Sequence, residues 1–175
     1  MTNVKGLENG LTNHGDRYFA RCLRRSFAKL MGHTGAALGK PIVGIRASES
    51  GFNSLLSAHL FNLIGSVGVS PGGALTGSPD LGDLRFSQPG SGWYWSVEPV
   101  AGDLTGVLRS PSMTGPIASP PVSDVPFDSG FQRSYTADGI AGEAIAVFES
   151  EFVLGSNNRV ARFRVMGNLT ELEAQ

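Results

Sequence analysis

Glu143-Ala-Ile-Ala-Val-Phe-Glu-Ser-Glu-Phe-Val-Leu154 and, after four residues, Arg159-Val-Ala-Arg-Phe-Arg-Val-Met166 decide the fold class of this chain. In the first stretch Ile145, Val147, Glu149, Glu151 and Val153 alternate with Ala144, Ala146, Phe148, Ser150, Phe152 and Leu154. In the second, Ala161, Phe163 and Val165 alternate with Val160, Arg162 and Arg164. A period of two is the signature of β-strands, whose side chains point to opposite faces in turn. Ser156-Asn157-Asn158 between them reads as a hairpin turn. Upstream, Trp93, Trp95 and Val97 alternate with Tyr94, Ser96 and Glu98, giving another strand. A short one is expected at Gly106–Ser110, after a turn at Pro99–Asp103. Strands joined by short turns imply an antiparallel sheet. Its apolar face needs cover, and residues 47–66 supply it: Phe52, Leu55, Leu56, His59, Leu60, Leu63 and Ile64 recur at helical spacing. Ser48-Glu49-Ser50 is the expected helix start. Residues 68–92 and 111–130, rich in glycine, proline and serine, read as loops. Asn168 or Thr170 is expected to cap a short final helix through Glu171–Gln175. The class is α+β.

The first 46 residues differ from the rest. They hold eight basic side chains (Lys5, Arg17, Arg21, Arg24, Arg25, Lys29, Lys40, Arg46) against Glu8 and Asp16, a net of +6, while residues 47–175 carry −7. All three lysines fall here, and Pro41 is its only proline among ten. Asp16 is placed to cap a helix over about 17–31, with an apolar stripe (Tyr18, Phe19, Cys22, Leu23, Phe27, Leu30, Met31) opposite its basic residues, ended by Gly32. Residues 40–45 read as a short strand. The division is therefore a basic helical arm, 1–46, and a second unit, 47–175. A basic face favours phosphates, but the acidic remainder opposes nucleic acid, so the face is read as solvated and no nucleic-acid partner is expected.

The sequence carries no recognisable catalytic set. With one cysteine, Cys22, no internal disulfide or cysteine-rich zinc site can form. His14 and His33 fall in expected loops, and His59 lies near the apolar face of its helix, where packing is the simplest role. Thr34-Gly-Ala-Ala-Leu-Gly-Lys-Pro41 fails as a phosphate loop: Thr34 replaces the first glycine and Pro41 the magnesium-binding hydroxyl. No Gly-x-Ser-x-Gly or His-Glu-x-x-His occurs. Asp80, Asp83, Asp124, Asp128, Glu149 and Glu151 offer oxygen ligands for a divalent cation, but their spacing fits no loop motif. The Asn168-Leu-Thr170 sequon is given no weight. No catalytic, cofactor-binding or metal-ligating residues are assigned, and no cofactor is expected. No apolar run is long enough to span a bilayer, and Met1 leads into polar sequence unlike a secretory signal.

Two resemblances rest on longer stretches. Phe52-Asn-Ser-Leu-Leu-Ser-Ala-His-Leu60, Asp83-Leu-Arg-Phe-Ser-Gln-Pro-Gly-Ser-Gly-Trp-Tyr-Trp-Ser-Val97, Val107-Leu-Arg-Ser-Pro-Ser-Met113, Gly142-Glu-Ala-Ile-Ala-Val-Phe-Glu149 and Arg162-Phe-Arg-Val-Met-Gly-Asn-Leu-Thr-Glu-Leu-Glu173 follow one another in order. Together they resemble the extracytoplasmic (periplasmic) sensor domain of proteobacterial two-component sensor histidine kinases, over about residues 50–174. The resemblance implies a PAS-like α+β fold, with an antiparallel sheet covered by an N-terminal helix. It implies an unknown small ligand or cation as signal, and dimerisation through the N-terminal helix. It places the domain on the extracytoplasmic face of the inner membrane, between flanking membrane helices that this chain lacks. The full-length family member is a histidine protein kinase, but the phosphoacceptor and ATP-binding regions have no counterpart here. The chain as it stands is therefore expected to sense and not to catalyse.

Separately, Gly10-Leu-Thr-Asn-His-Gly-Asp16, Leu23-Arg-Arg-Ser-Phe27, Met31-Gly32 and Lys40-Pro-Ile-Val-Gly-Ile45 resemble the N-terminus of dihydroxy-acid and sugar-acid dehydratases. That family follows this strand with a cysteine-containing stretch that helps hold an iron–sulfur cluster. Here Arg46-Ala-Ser-Glu49 follows, and no cysteine comes after it. The alternative reading is thus a truncated dehydratase-like fragment without cluster or activity, and the charge break near residue 46 suggests two segments of different history, by fusion, truncation or a mis-assembled reading frame.

Overall fold

Phe52, Leu56, Leu60, Leu63 and Val67 recur every three or four residues, and all five are buried. The first four form the inward stripe of helix α1, Val43–Ser66, and Val67 follows its last residue, in a computed structural model that describes residues 43–155 and 158–173. At 1.5 Å per residue, 24 residues make a rod of about 36 Å. The helix begins upstream of the expected Ser48 start, and Val43–Ile45, expected in a strand, are its first turn. The anticipated basic helix at 17–31 lies outside the described residues.

The chain then forms a two-stranded ribbon, β1 (Gly68–Val69) with β2 (Leu75–Thr76), and a 3-10 turn at Leu84–Ser87. The main sheet follows: β3 (Tyr94–Ala101), β4 (Leu108–Arg109), β5 (Gln132–Asp138), β6 (Ala144–Val153) and β7 (Val160–Asn168). Its order is β4-β3-β7-β6-β5, with every neighbouring pair antiparallel. Helix α2, Thr170–Glu173, closes the described chain. Asn168 Oδ1 accepts from the Thr170 amide (3.0 Å) and hydroxyl (2.7 Å), so Asn168 fixes the entry to this helix.

The α+β class and the antiparallel sheet stand. Two expectations about the strands do not, and one strand was not expected. Pro99–Ala101 is not a turn: β3 runs through it, with a register shift between Pro99 and Ala101 that accommodates a residue unable to donate a ladder hydrogen bond. The strand expected over Gly106–Ser110 is cut to two residues. β5 had no expectation at all; its Gln-Arg-Ser-Tyr-Thr-Ala-Asp sequence alternates polar with polar and hides the period.

The sheet is covered on both faces. Trp93, Trp95, Val97, Ala146, Ala161, Phe163 and Val165 pack with the α1 stripe. Gly167 allows the close approach: a Cβ there would lie 2.8 Å from Phe52 Cζ and 3.0 Å from Leu56 Cδ2. On the other face, Tyr94, Tyr135, Ile145, Val147 and Met166 pack with Met113 and Ile117 from an irregular strap over residues 110–127. Trp93 and Trp95, read from their alternation as sharing one strand face, are 1% and 5% exposed there.

Candidate functional site

Residues 83–93 form a compact loop whose side chains converge on the N-terminal half of α1 and on α2. Asp83 caps the 3-10 turn, its Oδ1 accepting from the Arg85 amide at 3.0 Å. The Arg85 guanidinium folds back on the same carboxylate, with Nε 3.0 Å from Oδ1 and Nη2 2.6 Å from Oδ2. Its Nη1 reaches Glu171 Oε2 at 2.6 Å. The guanidinium carbon lies 3.7 Å from the Trp93 ring centroid, and Trp93 Nε1 donates to Glu171 Oε1 at 2.9 Å. Arg85 is thus stacked on an aromatic face and clamped between two carboxylates. A planar guanidinium suits this arrangement; a lysine would lose the stacking and the fork. Gly92 makes the turn into Trp93 at φ +78°, where a Cβ would meet the Asn168 side chain at 2.7 Å.

An open cleft of about 310 Å³ lies beside this clamp, lined by Gly51, Phe52, Leu55, Arg85, Trp93, Glu171 and Leu172. It joins α1, the 3-10 turn and α2. Behind the clamp sits His59, 7% exposed, its ring edge-on to Phe86 at 5.2 Å. Neither imidazole nitrogen has a hydrogen-bond partner, although Nε2 lies 3.9 Å from Asp83 Oδ2. Burial holds the His59 pKa below its ordinary value, opposed by Asp83 and reinforced by Arg85. Hydrogen bonding from Arg85 holds Asp83 below the usual carboxylate range.

The opposite sheet face carries a second polar cluster, set by strand register. Ser96, Arg164, Glu149 and Arg133 are successive cross-strand partners, forming one row across β3, β7, β6 and β5. Glu149 is fully buried. Its Oε1 accepts from Arg133 Nε (3.0 Å) and Nη2 (2.8 Å), and its Oε2 from the Tyr135 hydroxyl (2.7 Å). Arg162 Nε lies 3.0 Å from Glu149 Oε1 without the alignment of a hydrogen bond, while its Nη2 reaches Glu151 at 2.6 Å. Arg164 donates to Ser96 Oγ (3.1 Å) and Glu98 (2.6 Å). The two arginines also hold the strap. Arg133 Nη1 donates to the carbonyls of Pro120 (3.1 Å) and Val125 (2.8 Å), and Arg164 Nη1 to that of Ile117 (2.8 Å). The Arg133 guanidinium lies 4.7 Å from the Phe127 ring centroid.

Three acidic residues considered for a cation are therefore committed elsewhere: Asp83 to Arg85, Glu149 to Arg133, and Glu151 to Arg162. Asp124 and Asp128 make local turn contacts, as does Asp80. Among the described residues no group of three or more His, Cys, Asp or Glu side chains is placed to hold a metal ion, and no helix is long and apolar enough to cross a membrane. The sequence pointed to Trp93 and His59 separately. It missed the clamp, because Glu171 stands 86 residues from Arg85 and only the fold brings them together. Comparison with protein families, with curated proteins and with solved structures finds no match to this chain.

Proposed function

We propose that residues 47–175 are the non-catalytic sensing domain of a two-component sensor histidine kinase, with a PAS-like fold and an extracytoplasmic location in the parent protein. One observation carries this reading beyond the sequence resemblance. The N-terminal half of α1 and the C-terminal helix α2 meet at one site, around Arg85, Trp93 and Glu171. A domain that passes displacement to membrane helices needs its entering and leaving segments coupled, so that a small change between them becomes an output. The clamp is such a coupling, and α1 lies along the sheet as the element that a stimulus would shift.

The test is a chimera. Residues 47–175 replace the sensing domain of a membrane histidine kinase, between its two membrane helices, and autophosphorylation is followed in vesicles across small organic ions, divalent cations and pH. The expected result is an output that changes several-fold with one condition and loses that response in Arg85→Ala. A correctly inserted chimera with flat output under every condition overturns the reading.

A further inference from the structure

His59 is a buried, titratable side chain whose two ring nitrogens both lack hydrogen-bond partners. An unpaired buried polar group costs free energy, so its place beside a carboxylate needs a reason. The carboxylate is the one that holds Arg85, and Arg85 holds the last helix. We propose that His59 is a proton-binding site and the proton the signal this domain reads: protonation of His59 draws Asp83 away from Arg85 and loosens the Arg85–Trp93–Glu171 clamp on α2.

The gap between His59 Nε2 and Asp83 Oδ2 is 3.9 Å, about 1 Å longer than a charge-assisted hydrogen bond. A neutral ring leaves the gap open. An imidazolium in this buried position needs its counter-ion in contact, because an uncompensated charge there is expensive. Asp83 is 17% exposed on a short turn, with both oxygens already engaged by Arg85. Closing the gap moves Oδ2 off the position at which Arg85 Nε and Nη2 donate to it, and so strains that fork. Arg85 then keeps Glu171 and the Trp93 face on a weakened Asp83 fork, and the Trp93–Glu171 hydrogen bond shifts with it. The charged groups acting on His59 are Asp83 and Arg85, both from the 3-10 turn. Asp83 stays ionised through the range in which histidine titrates, since Arg85 holds it below the usual carboxylate value. The step moves one proton from solvent to the ring and breaks no covalent bond.

This inference names the stimulus for the sensor reading and rests on it, but its test uses the chain alone. In the 175-residue chain, the His59 ring and the Trp93 indole N–H are followed by NMR from pH 8 to pH 4.5. The indole N–H donates to Glu171 and so reports the clamp directly. The expected result is a Trp93 shift with the same midpoint as the His59 ring, below 6.5, and its loss in His59→Gln. Transitions belonging to His14 or His33 persist in that variant. Asp83→Asn is the second probe, informative even where His59→Gln fails to fold: His59 still titrates, and Trp93 no longer follows it. A His59 titration without movement of Trp93, or a Trp93 transition that survives in either variant, overturns the proposal. If the clamp responds as expected and the chimera stays flat at every pH, the sensor reading fails and with it the proton's part as signal, while the His59-linked movement of the clamp stands.

Discussion

The two faces of the main sheet are buried by opposite means. The α1 face is apolar: four buried leucine and phenylalanine side chains of the helix meet Trp93, Trp95, Phe163 and Val165, and Gly167 lets the backbones close up. The strap face carries Glu149, Arg133 and Arg164 in one row, with exposures of 0%, 6% and 3%. Burial of apolar area tolerates some repacking, whereas a buried ion pair tolerates none of its members being removed singly. The α1 face is therefore the forgiving one, and the strap face is held in a single arrangement by partners that all need one another.

Glu149→Ala is the sharpest way to break this contrast. It strands Arg133 and Arg162 without their shared carboxylate and is expected to cost about 3–5 kcal/mol in urea denaturation. Leu60→Ala, its counterpart on the other face, creates a cavity under α1 and costs about 2–5 kcal/mol. The contrast is sharpened by conservative changes. Leu60→Met is expected to stay within about 1.5 kcal/mol of the parent, while Glu149→Gln, equally close in shape, remains strongly destabilising. Equal losses for the two conservative variants would erase the distinction.

The faces also divide the pH dependence. Burial pushes Tyr135 and Tyr94, both on the strap face, up to about 12. Because the folded state holds these protons more tightly, stability is whole below pH 10 and is lost as pH rises from 10 towards 12. The buried Tyr135 accounts for a loss of about 3 kcal/mol at most. Alkaline melting curves check this, and Tyr135→Phe removes that part of the slope. The α1 face supplies the acid limb. His59 is held below its ordinary value, so the unfolded chain binds the proton first and stability falls as pH drops below about 6.5. The fall levels off once the folded form is protonated too, and it is absent in His59→Gln. Smallest of all is the Arg159–Asp103 pair at the rim, where Asp103 is 63% exposed. Asp103→Asn is expected to leave the melting temperature unchanged within error.

What could be read in the sequence follows the same divide. Alternation of apolar with polar residues exposed β3, β6 and β7, and helical spacing exposed α1, because those elements each bury an apolar set that repeats. β5 escaped because its inward side chains include Arg133, a charge whose burial is affordable only beside Glu149, sixteen residues away. Glu149 and Glu151 read in the sequence only as oxygen ligands for a cation for the same reason: nothing local marks a carboxylate that will be met by arginines from other strands. The strap's glycines and prolines mark it as irregular, and it is, but its role as a second core layer depends on Ile117 and Met113, too widely spaced to show a period. His59 was legible as packed. Its distance from Asp83 was not, since that is set by the loop after β2.

The strap's attachment has a consequence for how this region can vary. Arg133 and Arg164 grip the main-chain carbonyls of Ile117, Pro120 and Val125, groups that every amino acid possesses. The positions between them, Ala118 and Pro121 through Asp124, add little to the hold. A library randomised at those five positions should therefore return mostly folded proteins with the strap in place, while two arginine codons on distant strands admit almost no change. The sheet dictates where the strap runs and leaves its wording free, so relatives could share this architecture and differ most in the segment that covers it.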